Sequence, residues 1–392
     1  MFQFAVLGII YLLISCQLSF AQQTLSMDEA VAIAMTRHPV ARNAVLEEQK
    51  DILMRLELAP TDVKYWQAHT NRLWSATQNF GSVPEHFRRA QHYRTVSSSH
   101  QAERALTLDE LAWRVKVAYM DAVYCRQRLQ IMQEYESYFD ALMDVAEIRH
   151  AADSITELAM VSAGTRYAAY QSRMYIAEEE LKRAQMHLCQ MMNLPDVKIE
   201  TSDSEMNLYQ IHPEKDAGER FEPAKHKALD EAYLNEAQSL VKLEKSKLFP
   251  AVHAGYIHQR IEGLGNYRGW MAGLSVPLWA LPQRARIKQA EIEVKQKNIE
   301  TEYRQYTDMQ HVETLKSLLN EYFVQISFCR ENLLIEAQLM LEEVEKDFSA
   351  GRIANFAEAI TKVNNALSAY LTHLEYMNLY NRTALELEYY TQ

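Results

Sequence analysis

Two periodicities alternate along this chain of 392 residues. Most of it carries apolar residues at the three-and-four spacing of amphipathic helix. Between Phe249 and Pro282 the pattern changes. Trp270, Ala272, Leu274, Val276 and Leu278 fall on one face and Met271, Gly273, Ser275 and Pro277 on the other, which predicts a strand with unlike faces. Each arm of this stretch runs to roughly ten residues, the length a tilted strand needs to cross a bilayer. Gly263–Gly269, with Asn266 between, reads as a water-exposed loop. An earlier stretch, DVKYWQAHTNRLWSATQNF from Asp62 to Phe80, reads as two further strands around His69–Arg72.

The remainder is helical. Ser26 with Glu29 three residues on forms a capping box, and the helix it opens is expected to continue past Pro39 to about Glu57, before Leu58-Ala59-Pro60. After Gly81-Ser82-Val83-Pro84 a helix resumes near Glu85 and runs, with an adjustment at Thr107-Leu108-Asp109, to about His150. At ~1.5 Å per residue it reaches on the order of 90–100 Å, a length that signals a coiled-coil-like assembly. Ala151-Ala152-Asp153-Ser154 reverses the chain, and the next helix ends at Asn193-Leu194-Pro195. Val197 to Glu222 is a polar connector with little regular structure expected.

The order then recurs. A helix from about Pro223 leads to Leu248-Phe249-Pro250, a hairpin over 249–279 answers the one over 60–80, and Arg284 and Arg286 answer Arg88 and Arg89. A second long helix runs to about Phe348, breaks at Ala350-Gly351 and is followed by a last helix. The offset stays near ~190–200 residues, the mark of an internal duplication. The expected organisation is a signal segment over 1–21 and structural repeats over 22–222 and 223–392. The fold class is mainly α with a small transmembrane β part.

Composition narrows the function. With a net charge of −11 and no block of Lys or Arg, the chain lacks the footprint of a nucleic-acid binder. The opening run MFQFAVLGIIYLLISCQLSFAQQ predicts a secretory signal cleaved after Ala21. Leu13-Ile14-Ser15-Cys16 offers a second reading, a lipobox that would leave Cys16 acylated. Beyond it no apolar run approaches the ~18 residues of a spanning helix, so residence in a membrane requires a closed barrel. Four strands fall short of the ~8 that a barrel needs, so copies must associate, most simply by cyclic symmetry.

Candidate chemistry is sparse. Met186-His187-Leu188-Cys189-Gln190-Met191-Met192 offers soft donors of the kind that select Cu(I), but Met and Cys are also ordinary fillers of helix packing. His253 and His258, five apart on a strand, point to opposite faces, and His86 and His92, six apart on a helix, are poorly placed to share an ion. Cys125, Cys189 and Cys329 are odd in number and far apart, which argues for buried thiols rather than a disulfide framework. No hydrolase, zinc-protease or nucleotide-binding motif is present, and an enzyme is not expected. Two basic sets, Arg88 with Arg89 and Arg284 with Arg286, begin helices, where the macrodipole disfavours cations. They either contact anionic lipid head groups on the periplasmic side or pair with Glu85 and Glu291. Trp74 and Trp279 are candidates for an aromatic girdle, with Trp66 and Trp270 in the strands beside them.

The run KLFPAVHAGYIHQ…GWMAGLSVPLWALPQRARIKQAE resembles the second repeat of the TolC-type outer-membrane efflux channels. Phe348-Ser349-Ala350-Gly351-Arg352-Ile353-Ala354-Asn355-Phe356 is similar to that family's periplasmic tip, Met191-Met192-Asn193-Leu194-Pro195 to the end of its first-repeat helix, and LSMDEAVAIAMTRHP to its first helix. The resemblance implies a homotrimer with a 12-stranded barrel in the outer membrane of a Gram-negative bacterium. An α-helical barrel would extend from it through the periplasm. It implies a passive duct without cofactor, docked on a periplasmic adaptor that serves an inner-membrane RND-type pump. Adaptor contact would fall to Ala152, Asp153 and Ser154 and to Ala350, Gly351 and Arg352, although the first tip lacks the family's Gly. Trp74, Phe80, Trp270, Leu274, Val276, Pro277 and Trp279 would belong to the hairpin strands in the outer membrane, whose lipid is a further expected partner. Leu58-Ala59-Pro60-Thr61 and Gln78-Asn79-Phe80-Gly81-Ser82 resemble channels paired with heavy-metal pumps, which implies heavy-metal cations as cargo. Drug efflux or type I polypeptide secretion by the same fold, or a periplasmic helical scaffold with no membrane role, remain alternatives.

Overall fold

The computed structural model describes residues 23–54, 61–68, 71–194, 199–203, 205–211, 222–276, 281–349 and 356–391. In chain order the elements are β1 (Gln23–Leu25), α1 (Met27–Arg37), α2 (Pro39–Met54), β2 (Thr61–Ala68), β3 (Asn71–Gly81), α3 (Val83–Ala151), α4 (Glu157–Met191), β4 (Ile199–Thr201), α5 (Lys227–Ser246), β5 (Ala251–Ile261), β6 (Gly265–Ser275), α6 (Leu281–Phe328), a π-helical turn (Cys329–Leu333), α7 (Leu334–Ser349) and α8 (Phe356–Thr391). The signal segment, the Leu58-Ala59-Pro60 exit, Pro277, Trp279 and the second tip at Ala350, Gly351 and Arg352 lie outside the described residues.

The chain divides into two compact units, with boundaries inside α2 at Arg42/Asn43, inside α3 at Leu108/Asp109, at Phe221/Glu222 and inside α6 at Gln310/His311. One unit comprises Asn43–Leu108 and Glu222–Gln310 and holds a four-stranded sheet in the order β2-β3-β5-β6. Every pairing is antiparallel: Tyr65 stands opposite Trp74, Trp74 opposite His258 and Tyr256 opposite Trp270. The two hairpins, distant in sequence, therefore meet at β3 and β5. The second hairpin is tighter than the sequence suggests. β6 begins at Gly265, so only 262–264 turn, with Gly263 at φ +82° and Gly265 at φ +100° taking up the left-handed backbone.

The other unit comprises Met1–Arg42, Asp109–Phe221 and His311–Gln392. Its core joins α3, α4, α7 and α8 through Met132, Phe139, Tyr170, Val344, Val363 and Leu367. Phe139 stacks on Tyr170 at 4.2 Å. A smaller cluster of Val312, Leu315, Leu319, Ala384 and Leu387 packs beneath Tyr209 and Ile211.

Four further expectations are corrected here. The first helix does not continue past Pro39: His38 is extended at ψ 137°, because the Pro ring disfavours helical backbone before it, and two helices result. The described part of the connector is more ordered than its polarity suggests. Ile199–Thr201 pairs in parallel with Gln23–Leu25, Asn381 accepts from the Tyr209 N–H at 2.8 Å and donates to Asn207 O at 2.8 Å, and Gln127 accepts from the Met206 N–H at 2.7 Å. The second long helix is interrupted by its π turn, whereas α3 passes Thr107-Leu108-Asp109 without a break.

Candidate functional site

Pairing register sorts the sheet's side chains. Val63 and Tyr65 of β2, Trp74 and Ala76 of β3, Val252, Ala254 and Tyr256 of β5, and Trp270, Ala272 and Leu274 of β6 share one face. That face is open: Trp270 is 86% and Leu274 71% exposed, and Val63, Tyr65 and Val276 exceed half. Tyr65, Trp74, Tyr256 and Trp270 form a row across all four strands, with Trp74 edge-on to Tyr256 at 6.0 Å and Tyr256 edge-on to Trp270 at 5.2 Å. Toward the helix-bearing end the apolar surface continues into exposed Phe80, Val83, Phe87, Phe249 and Leu281.

The strand from Trp74 to Phe80 covers about 20 Å, or roughly 15 Å along the axis of a barrel tilted like membrane barrels. With the first helical turns beyond it, the band approaches the ~25 Å of a membrane barrel's apolar belt.

The opposite face carries Asp62, Lys64, Ser75, Thr77, Asn79, His253, Gly255, Gly273 and Ser275 near the helix-bearing end, and Trp66, Leu73, Ile257 and Ile261 near the turns. Two of its glycines are close-approach sites. A Cβ on Gly273 would lie 2.3 Å from His253 Nε2, and one on Gly255 would lie 2.7 Å from the Ala76 carbonyl. His253 and His258 are on different faces, as their spacing requires.

Polar links anchor the strands to the helices. Ser82 caps α3 by accepting from the Glu85 N–H at 3.1 Å while its hydroxyl donates to Ser246 O at 3.0 Å, at the end of α5. Gln283 of α6 donates to Glu244 at both its carbonyl, 2.8 Å, and its carboxylate, 2.7 Å. Burial raises the Glu244 pKa, but hydrogen bonds from Lys247 and Gln283 and the charges of Lys247 and Arg286 outweigh it and hold the carboxyl below its ordinary range.

The basic sets divide by environment. Arg89 pairs with Glu85, and Arg88 Nη1 donates to Gln91 at 2.8 Å. Arg284 and Arg286 are exposed, and Glu291 is held by Lys245 at 2.9 Å instead.

The first tip is a Schellman reversal. The Asp153 N–H donates to His150 O at 3.0 Å and the Ser154 N–H to Arg149 O at 2.8 Å, with Asp153 at φ 53° where Gly is usual. Ala152, Asp153 and Ser154 are all exposed. Thr156 then caps α4 by accepting from the Ala159 N–H at 3.2 Å, and Arg149 lies 5.5 Å from the Phe356 ring centre. The soft-donor run does not converge, since Cys189 and Met192 are buried while Met186 is exposed. Burial and the nearby carboxylates of Glu180 and Asp121 push the Cys125 thiol up to about 11, far from a reactive thiolate.

No family model and no curated sequence matches the chain. Solved structures do. CusC matches at a TM-score of 0.75 over 92% of this chain and 90% of its own, at 15% identity. The outer-membrane channel CmeC of Campylobacter jejuni matches at 0.76 over 95% and 90%, at 8% identity. The chain has the fold of the TolC-type outer-membrane channels. The outer-membrane protein VceC of Vibrio cholerae matches at 0.72 over 92% of this chain and 94% of VceC, at 10% identity.

Proposed function

We propose that this chain is the outer-membrane exit duct of a tripartite efflux system, working as a homotrimer whose helical part stands in the periplasm. The observation that carries the reading is the four-stranded sheet with an open aromatic and aliphatic face and, among the described residues, two unpaired edges, β2 and β6. Unpaired backbone groups are costly in lipid, and three copies joining β6 to β2 of the next would close twelve strands with no edge left. The exposed stripe of Ile292, Ile299, Tyr303 and Tyr306 on α6, spaced by three, four and seven, supports a second helical contact between copies.

In this reading residues 1–21 are the signal, and 22–222 and 223–392 are the two repeats. Ala152, Asp153 and Ser154 with Ala350, Gly351 and Arg352 meet the periplasmic adaptor, an RND-type pump supplies cargo from the inner membrane, and Arg88, Arg89, Arg284 and Arg286 lie near the inner-leaflet head groups. Heavy-metal cations are the cargo we favour, on the strength of the first-hairpin residues alone.

The duct is tested by membrane fractionation with and without boiling before electrophoresis. A heat-modifiable trimer in the outer-membrane fraction is expected; a monomer in the soluble periplasmic fraction would favour the scaffold. Cargo is tested by deletion: sensitivity to copper, zinc or cadmium salts without sensitivity to drugs is expected, and the reverse would reassign the cargo.

A further inference from the structure

The exposed face of the sheet changes character at its aromatic row. On the turn side of Trp74, Tyr256 and Trp270 it carries Arg72, His258, Arg260 and Arg268. Arg72 stands directly opposite Arg260 across the β3–β5 pairing, and Arg268 stands opposite His258 on the next strand, diagonal to Arg260. The three arginines are exposed, and among the described residues none of them is in an ion pair. Of the sheet's acids, Asp62 holds Lys64 at 2.9 Å on the other face near the helix-bearing end, and Glu262 sits in the turn two residues after Arg260. Like charges placed directly opposite on neighbouring strands destabilise a sheet, so the Arg72–Arg260 pairing carries an electrostatic cost.

We propose that Arg72, Arg260 and Arg268 form a binding row for the phosphate groups of lipid head groups in the outer leaflet. The proposal rests on the duct reading, which puts the helices in the periplasm and therefore the turns at the outer surface. Arg268 and Arg72 lie two residues beyond Trp270 and Trp74, about 7 Å along each strand, on the face that would meet lipid. Aromatic girdles mark the edge of the hydrocarbon, so a guanidinium one step further reaches head-group depth. Planar guanidinium matches phosphate in a two-pronged geometry that Lys does not reproduce. Three guanidiniums on adjacent strands suit a head group bearing more than one phosphate. The periplasmic set at Arg88 and Arg284 belongs to the other end of the strands and is a separate matter.

The test uses the purified full-length trimer in neutral detergent, with lipid A as the probe and native mass spectrometry as the readout. Wild-type protein should retain lipid A, and the triple variant R72Q/R260Q/R268Q should bind it on the order of a hundredfold more weakly, the sum expected for three surface cations. Chemically dephosphorylated lipid A should bind wild-type protein as weakly as lipid A binds the variant, and that arm needs no mutant to fold. Free pyrophosphate at equal phosphate concentration should fail to displace lipid A. Equal binding of lipid A and its dephosphorylated form, or of wild type and variant, would overturn the proposal while leaving the duct intact. Displacement by pyrophosphate would overturn the lipid assignment in favour of a free anion. A wild-type protein absent from the outer membrane would remove the duct and this proposal together.

Discussion

Leu274→Arg distinguishes a lipid-facing sheet from a water-facing one. Leu274 is 71% exposed on β6, beside Ala272 and opposite Val252. If that face meets water, an exposed Leu→Arg change belongs to the surface class worth within about 0.5 kcal/mol. If it meets hydrocarbon, a charge there costs about 2–4 kcal/mol near the midplane. The residue occurs once per subunit, so a trimer carries that cost three times over, roughly 6–12 kcal/mol, comparable with the whole stability of an ordinary domain. Ser275→Arg is the internal control, adjacent in sequence and on the opposite face, where a barrel lumen tolerates charge. The assay is refolding from urea into phospholipid vesicles, scored by the fraction of heat-modifiable trimer. Leu274→Arg should abolish folded trimer while Ser275→Arg retains it. Equal yields from the two variants would refute the assignment of faces.

Gly273→Ala places a Cβ 2.3 Å from His253 Nε2 and should lower trimer stability by about 1–3 kcal/mol; His253→Ala in the same chain should restore it, as read by urea midpoint. Glu244→Ala strips Gln283 and Lys247 of their shared acceptor and should cost about 1.5–3 kcal/mol. Because the Glu244 carboxyl is held below its ordinary value of 4.5 in the folded chain, its contribution is present above that pH and is lost as pH falls through the folded value. The stability difference between wild type and Glu244→Ala should therefore shrink on acidification below pH 4.5. Asp153→Gly should preserve or raise thermal stability, whereas Asp153→Val should cost about 1–2 kcal/mol, since only the former suits φ 53°. Gly351→Pro should abolish metal resistance while leaving trimer assembly unchanged; retained resistance would count against the tip assignment.

Much of the architecture is written in local pattern. The alternation from Trp270 to Val276 is a two-residue period, so the two faces follow from spacing alone. The same holds for the long helices, whose apolar stripe recurs without Gly or Pro to stop it. What pattern does not carry is pairing between distant segments. Nothing local marks Ile199–Thr201 as the partner of Gln23–Leu25, or Asn381 as the residue that satisfies the backbone at Asn207 and Tyr209. The aromatic row is likewise invisible in either hairpin by itself, because Trp74 and Tyr256 meet only through the β3–β5 register. The break at His38 was available in the sequence, since a residue before Pro avoids the helical region. The glycines at 263 and 265 suggested a long loop, yet left-handed backbone at two close positions makes a short one. Asp153 and Asn193 both sit just past a helix in the left-handed region, a cap that Asn and Asp tolerate better than other non-glycine residues.

The central claim is that copies of this chain pool their hairpins into one water-filled cylinder crossing the outer membrane. Planar-bilayer conductance of the purified protein, read together with its mass in solution, tests it most directly. Discrete, long-lived conductance steps from a particle of three chains are predicted; a particle of one chain, or one that leaves the bilayer's resistance unchanged, would contradict the account.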